Sequence, residues 1–304
     1  MAVGTTKSFS YLMDPTYRKI FLNRYEKESS WFDKLFNIET VTKGNWVAEA
    51  MLTPLGASRL IMEGNPIEFD VPIQANPVKK YFNKYGLGFQ ATEEMQDDDL
   101  SGLMAKMPAE LGTSLAYARE TTAVDLLNNG MTAANYTAMD GKAIFAVNHL
   151  TAKAPAVTQA NTTASGAALS ETSLQAALDI MSNWVDEAGR AIHFNPKYLV
   201  VPMGLRWMAE TLLKTTGRPF SANNDLNATT DLWPGLQPFV HPLLTSTTAW
   251  YLLCTTHDLR YTWRRTAKFE SGDDFQTGNA LFKTTARWVV WAYDWRGAFR
   301  NAGA

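Results

Sequence analysis

The chain has 304 residues, enough for one large domain or two lobes, and 46% of them are hydrophobic, which fills a sizeable core and excludes a disordered chain. Its 28 basic and 30 acidic residues leave a net charge of −2, which removes the cationic footprint that sequence-specific DNA binding demands. The N-terminus lacks the apolar core of a signal peptide, no apolar run is long enough to span a membrane, and the single Cys254 inside AWYLLC reads as a small buried hydrophobe, so the sequence implies a soluble protein made in a reducing cytoplasm.

Residues 14–27 open with Asp14 as an N-cap and Pro15 at the first helical position, followed by Tyr17, Ile20, Phe21 and Tyr25 at helical spacing. Ser30 is placed to cap a second short helix over WFDKLF, giving an aromatic, amphipathic arm. From Ile67 to Gln74 the alternation is strict, with Ile67, Phe69, Val71 and Ile73 on one face and Glu68, Asp70, Pro72 and Gln74 on the other, which predicts a half-buried strand. Pro66, Pro72 and Pro77 each lack an amide donor, so that strand belongs at an edge or in a projecting ribbon. A second extended run, 78–92, sets Tyr81, Tyr85, Leu87 and Phe89 against Lys80, Lys84 and Gln90, and with residues 46–52 it makes a long β excursion.

Asp97, Asp98 and Asp99 suit a helix N-terminus, and Leu100, Leu103, Met104, Met107, Leu111, Leu115 and Ala118 follow at intervals of three and four. The spacing predicts a helix over 97–128 that stops at Asn129-Gly130 and is kinked or divided at Pro108. Residues 151–168 are small and polar and read as a surface loop. A clearer helix follows, with Ser170 as N-cap, Leu169 and Leu174 as a hydrophobic staple, and Leu174, Ala177, Leu178, Met181, Trp184 and Val185 on one face. Asn195-Pro196 turns the chain into a buried-type strand over 198–201, and Pro202 opens a helix through Leu213. Strands near 249–254 and 259–263 are expected to end in Arg264 and Arg265, and 280–295 to form one long strand. Large aromatics crowd the two ends, Trp31 and Trp46 early and Trp288, Trp291 and Trp295 late, and such ends need something to pack on. No tandem repeat or separating linker interrupts this α+β order, which describes one subunit with lobes.

Chemistry is sparse. The four histidines, His149, His193, His241 and His257, show no metal-ligand spacing, and Gly86-Leu87-Gly88 lacks the third glycine and the following helix of a dinucleotide site. No P-loop or nucleophile elbow occurs, and Glu93-Glu94 with the Asp97–Asp99 run reads better as a charged helix cap than as paired catalytic carboxylates. The sharpest catalytic reading is His149 as a general base with Asp140, but no nucleophile accompanies them, and Asp140-Gly141 reads as a turn. The expectation is no catalytic residue, no cofactor and no metal.

Four segments in order resemble the major head subunit of Mu-like phages, a branch of the Hong Kong 97 capsid fold. They are DGKAIFAVNHL at 140–150, LSETSLQAALDIM at 169–181, NPKYLVVP at 195–202 and YDWRGAFRNAGA at 293–304. The layout is similar too: aromatic arm, β excursion, long helix, small-residue loop, helix and strand alternation, and a long returning strand. By this resemblance the chain is an α+β capsid subunit with an N-terminal arm at 1–44, an E-loop at 45–92, and a P-domain at 93–165 holding the spine helix at 97–128. An A-domain follows at 166–269, and the returning P-domain strand and C-terminus take 270–304.

The resemblance implies a major capsid protein that assembles with copies of itself, as hexamers and pentamers, into an icosahedral shell enclosing double-stranded DNA without sequence preference. Its implied partners are a separate scaffold protein, because the arm starts almost at Met1, a portal, and a decoration or cement protein, with no membrane. Its place is the virion capsid after assembly in the host bacterial cytoplasm. Ile67, Phe69, Val71 and Ile73 of the E-loop are expected to contact a neighbouring subunit. Trp295 is expected to be a buried structural residue, and Arg296 to pair with a carboxylate or carbonyl. Some relatives cross-link an E-loop lysine, but Lys79, Lys80 and Lys84 read as ordinary solvated lysines. The alternatives are a hydrolase using His149 and a phage decoration or tail structural protein.

Overall fold

Two four-stranded sheets organise the chain in a computed structural model that describes residues 10–28, 30–67, 69–92, 94–95, 98, 103–153, 156–219, 225–274 and 276–304. The first sheet has the order β1 (Asn37–Thr40), β10 (Leu259–Asp273), β11 (Ala280–Ala292), β4 (Asn83–Ala91), parallel only between β1 and β10. Alternation along β11 turns Phe282 and Trp288 inward onto two helices, α1 (Ser10–Lys27) and α3 (Leu103–Asn129). Tyr17 meets Phe282 edge-on at 5.6 Å, Phe21 lies 5.5 Å from Phe269, and the Trp288 indole N–H donates to Thr122 Oγ1 at 2.9 Å. The helices cross closely because α3 has Gly112 at the contact, where a Cβ would stand 2.9 Å from the Phe21 carbonyl oxygen.

The second sheet has the order β12 (Ala298–Asn301), β9 (Trp250–Cys254), β7 (Pro196–Val201), β8 (Gln237–Val240). Its WYLLC strand is buried on both faces, as its unbroken apolar run requires. Two helices, α4 (Glu171–Ser182) and α5 (Arg206–Lys214), bury Leu174, Leu178, Leu212 and Leu213 in the same core as both sheets, and α6 (Ala228–Leu232) packs beside α5. A ribbon of β2 (Trp46–Glu49) and β3 (Val78–Tyr81) covers part of the first sheet's outer face, and β5 (His149–Leu150) pairs with β6 (Thr158–Gln159).

Several predicted elements match. Ser170 caps α4, with a reciprocal bond to Ser173, and Leu169 and Leu174 are both buried beside it. The long helix ends at Asn129, before Gly130.

Other boundaries are corrected. The first helix starts at Ser10, so Asp14 and Pro15 lie within it and not at its start. Ser30 does not cap α2 (Phe32–Leu35); Glu120 on α3 does so, accepting from the amides of Phe32 at 3.1 Å and Trp31 at 3.3 Å. Burial pushes the Glu120 carboxyl up from its ordinary range, and Arg119 with these two amides opposes that shift. The described part of the long helix is Leu103–Asn129, and of the acidic residues expected to cap it, Asp97 and Asp99 fall outside the described residues. Pro108 does not divide the helix, because it stands in the second turn and forfeits a single backbone bond.

The 151–168 segment is not a simple surface loop: Gln159 and Asn161 are buried and hydrogen-bonded into the interior, and the buried Thr162 forms a parallel bridge with Arg300. The strand expected to end at Arg264 and Arg265 continues to Asp273 through a register irregularity at those residues. The last long strand ends at Ala292, and the chain then crosses to the second sheet as β12, so residues 280–295 do not form one strand. Among the described residues of 67–74 the predicted half-buried strand does not form. Its one ladder contact is an isolated bridge between Leu52 and Gln74, because Pro66 and Pro72 cannot donate and the chain offers no strand beside it.

Candidate functional site

The motifs singled out in the sequence converge on one buried knot. The turn at Asp140, with Gly141 at φ 78° and the Lys142 amide bonded to Asp140 Oδ1 at 3.1 Å, aims the other carboxylate oxygen at His149 Nδ1, 2.7 Å away. His149 is fully buried, and its Nε2 lies 3.2 Å from Asn161 Oδ1. The Asn161 amide group donates to the carbonyls of Ile144, Ala298 and Trp295 at 2.7, 3.1 and 3.3 Å, while Oδ1 also accepts from the Ala146 amide at 2.9 Å. This one side chain ties the loop after α3 to the C-terminal turn. Burial raises the Asp140 carboxyl, but the bond and charge of His149 and the Lys142 amide outweigh it, and the net shift is downward.

Trp295 closes the knot from the other side. It is 1% exposed, stacks on the His149 ring at 4.2 Å with 7° between planes, and meets Trp184 edge-on at 5.5 Å. Next to it Arg296, whose side chain is 2% exposed, donates to Glu187 Oε1 at 2.7 Å, the Val185 carbonyl at 2.8 Å and Asp294 Oδ1 at 3.2 Å. Burial raises the Asp294 carboxyl, and Arg296 opposes that rise. Asp140, His149, Trp295 and Arg296, named from sequence, therefore meet in space. Asn161, Trp184 and Glu187 complete the cluster, and sequence reasoning missed Asn161 and Glu187 because the order of the chain gives no sign of what they touch.

Both ring nitrogens of His149 are engaged and the ring is sealed from solvent, so the knot holds no group placed to take a proton from a substrate. Its geometry is that of a clasp. Among the described residues no group of three or more His, Cys, Asp or Glu could hold a metal ion, and no helix is long and apolar enough to cross a membrane.

A second feature lies on the outside. Residues 53–73 leave the β2–β3 ribbon as a limb whose base is tied where Thr53 and Ile73 exchange bonds of 2.8 Å, Met51 accepts from the Ala75 amide at 2.9 Å, and the Met51 amide donates to Tyr293 Oη at 2.8 Å. Further along, Asp70 accepts from the Gly56 amide at 2.7 Å and pairs with Lys153. Ile67, Phe69 and Val71 are 67%, 93% and 71% exposed, and Ile73, Leu60 and Met62 are exposed with them. Of the three lysines near this excursion, Lys79 sits over the Trp46 and Tyr81 rings, Lys80 donates to the Asn135 carbonyl at 2.8 Å, and Lys84 is exposed on the first sheet.

Comparison with known structures gives the class. The chain resembles the capsid of cyanophage P-SCSP1u with a TM-score of 0.58 at 11% identity, over 90% of this chain and 87% of that one. It resembles the capsid of a native GTA particle with a TM-score of 0.58 at 10% identity, over 98% of each chain. The procapsid of bacteriophage JBD30 gives 0.52 at 16% identity, over 98% of this chain and 76% of that one. The fold is thus the α+β Hong Kong 97-type capsid fold. No curated protein matches the chain in sequence. The family described as phage capsid protein matches residues 77–301, and the chain belongs to that family: it is a major capsid protein of the tailed-phage type.

Proposed function

We propose that this capsid protein builds a phage head by meeting copies of itself through the limb, as hexamers and pentamers that close around double-stranded DNA bound without sequence preference. The observation that carries this reading is the limb's exposed apolar row, Ile67, Phe69, Val71 and Ile73, on a segment joined to the body of its own chain by the bonds at its base and the Asp70–Lys153 pair. Four such side chains, at roughly 1.5–3 kcal/mol each when buried, are enough to hold an interface together. The proposed division is an arm at 1–44, an E-loop at 45–92 containing the limb, a P-domain at 93–165 with the returning strand from 270, and an A-domain at 166–269. In the second sheet β12 pairs with β9, which supports packing the C-terminus against the proposed A-domain. The buried clasp, with Trp295 and Arg296 as its structural residues, serves to fix the junction between the two sheets, and we assign the protein no enzymatic step. Scaffold, portal and cement proteins are the partners such assembly calls for, in a bacterial cytoplasm.

Replacing residues 55–71 with a short Gly-Ser linker tests this. The exchange leaves Thr53, Ile73 and the β2–β3 ribbon intact, so thermal unfolding of the subunit should be nearly unchanged while shells fail to form in electron micrographs. Normal shells from the shortened chain, or its unfolding, would overturn the reading.

A further inference from the structure

The outer face of the first sheet is covered by its own chain over only part of its length. Near the Ala292 end, Val289, Trp291 and Tyr293 are buried beneath Val47, Val78 and Phe82, and Arg260 on that face is paired with Asp258, Glu39 and Glu49. Towards the other end the pattern reverses. Strand register sets Arg265, Arg287 and Lys84 side by side in one row across β10, β11 and β4, and none of the three is paired with a carboxylate among the described residues. The next two rows add Lys268 and Lys283, which share the single carboxylate of Glu270. Like charges directly opposite one another destabilise a sheet, so this row is a local cost that an arriving anion would remove.

Between these rows the surface is hollow. Gly86 and Gly88 floor a shallow trough flanked by Lys84 and Lys283. The glycines are required by the approach of β11, because a Cβ at Gly86 would lie 2.8 Å from the Thr284 carbonyl oxygen and one at Gly88 2.8 Å from that of Phe282. The exposed Leu281 stands on the same face, near the end of β11. The site therefore asks for a small anionic projection with apolar flanks.

The chain itself carries one. At the tip of the limb the Asn65 amide donates to the Met62 carbonyl at 3.1 Å and Gly64 has φ 86°, a tight turn that presents Glu63 at its end. Glu63 has no ion-pair partner among the described residues, and Leu60 and Met62 beside it are 92% and 70% exposed.

We propose that the Glu63 turn of one copy seats in the Gly86–Gly88 trough of a neighbouring copy, with its carboxylate between Lys84 and Lys283 and an apolar flank against Leu281. This deepens the reading of the limb as an intersubunit arm and rests on it. Charge complementarity favours a second copy over the phosphates of nucleic acid, because the projection matches the hollow in apolar character as well as in sign.

A cysteine pair tests the contact directly. Cys254 is buried and its thiol is pushed up to about 12 by that burial, so the native cysteine stays silent. The chain carrying Glu63→Cys and Lys84→Cys should form covalent ladders on mild oxidation of assembled shells, and none from dissociated subunits or from Glu63→Cys alone. Shells that form without ladders overturn the proposal and leave the arm reading intact, whereas a wild-type chain that never forms shells overturns the arm reading itself. Independently, Lys84→Glu with Lys283→Glu should slow assembly about tenfold, a usual scale for lost charge steering, and adding Glu63→Lys should restore most of it. No restoration counts against the pairing. Reduced retention of duplex DNA with unchanged assembly would assign the trough to phosphate instead, and circular dichroism confirms that each variant is folded.

Discussion

Arg296→Met should be among the most damaging single substitutions in the chain. It keeps most of the stem and removes the charge, leaving the Glu187 carboxylate, 3% exposed, with the Ala152 amide as its remaining donor. Breaking a buried pair from one side costs about 3–5 kcal/mol, a large share of the 5–15 kcal/mol that holds a typical domain together. Glu187→Met strands the guanidinium in the same way, although Asp294 and the Val185 carbonyl still receive it, so its cost should fall towards the lower end. The double substitution removes both charges and leaves the Ala152 amide without its acceptor and the Asp294 carboxylate without the guanidinium, at about 1 kcal/mol each, while the Val185 carbonyl keeps the Gln159 amide at 3.2 Å. Its total should therefore lie near 2 kcal/mol, well below the sum of the singles, and the coupling should exceed about 2 kcal/mol. Urea unfolding of the unassembled subunit, followed by tryptophan fluorescence, measures all three. A loss below about 1 kcal/mol for Arg296→Met, or strictly additive costs, would refute the view that this pair clasps the two sheets.

Acid should loosen the subunit through two buried histidines. Burial holds His241 and His257 down to about 4, with Asp258 raising and Lys197 further lowering the latter, whereas an unfolded chain binds these protons near 6.5. The folded state therefore carries fewer protons between those values. Stability should be full above about pH 6.5 and fall as the pH drops towards 4, by up to about 1.4 kcal/mol per unit for each histidine; urea midpoints across that range check this, and a flat profile contradicts it. At the helix crossing, Gly112→Leu should collide with the Phe21 carbonyl and lift α1 from α3, an overpacking cost of about 1–3 kcal/mol that limited proteolysis of the arm would reveal as faster cleavage. Unchanged cleavage would place the crossing elsewhere.

Periodicity in the sequence was sufficient wherever an element buries one face against its own chain. The α4 helix is legible from Ser170 to Met181 because cap, staple and apolar stripe agree, and WYLLC is legible as a buried strand because an unbroken apolar run has few other uses. The same reasoning failed at 67–74, where the alternation is real but Ile67, Phe69, Val71 and Ile73 are exposed and only Gln74 forms a bridge. A period of two states that one face wants burial without stating against what, so a strand was expected where the chain forms an exposed limb.

Boundaries and caps failed for a related reason. Ser30 has the right chemistry for a cap, yet Glu120, about 90 positions away, reaches the α2 amides first, and no local pattern announces a donor set satisfied across that distance. The clasp divides in the same way. The sequence marked Asp140 as a turn and, with His149, as a possible base, and the resemblance of YDWRGAFRNAGA to the Mu-like head subunit marked Trp295 and Arg296. Only the tertiary structure joined them, through Asn161 and Glu187, because a buried polar group takes whichever partner the packed backbones bring within 3 Å, and that is settled by how the two sheets meet.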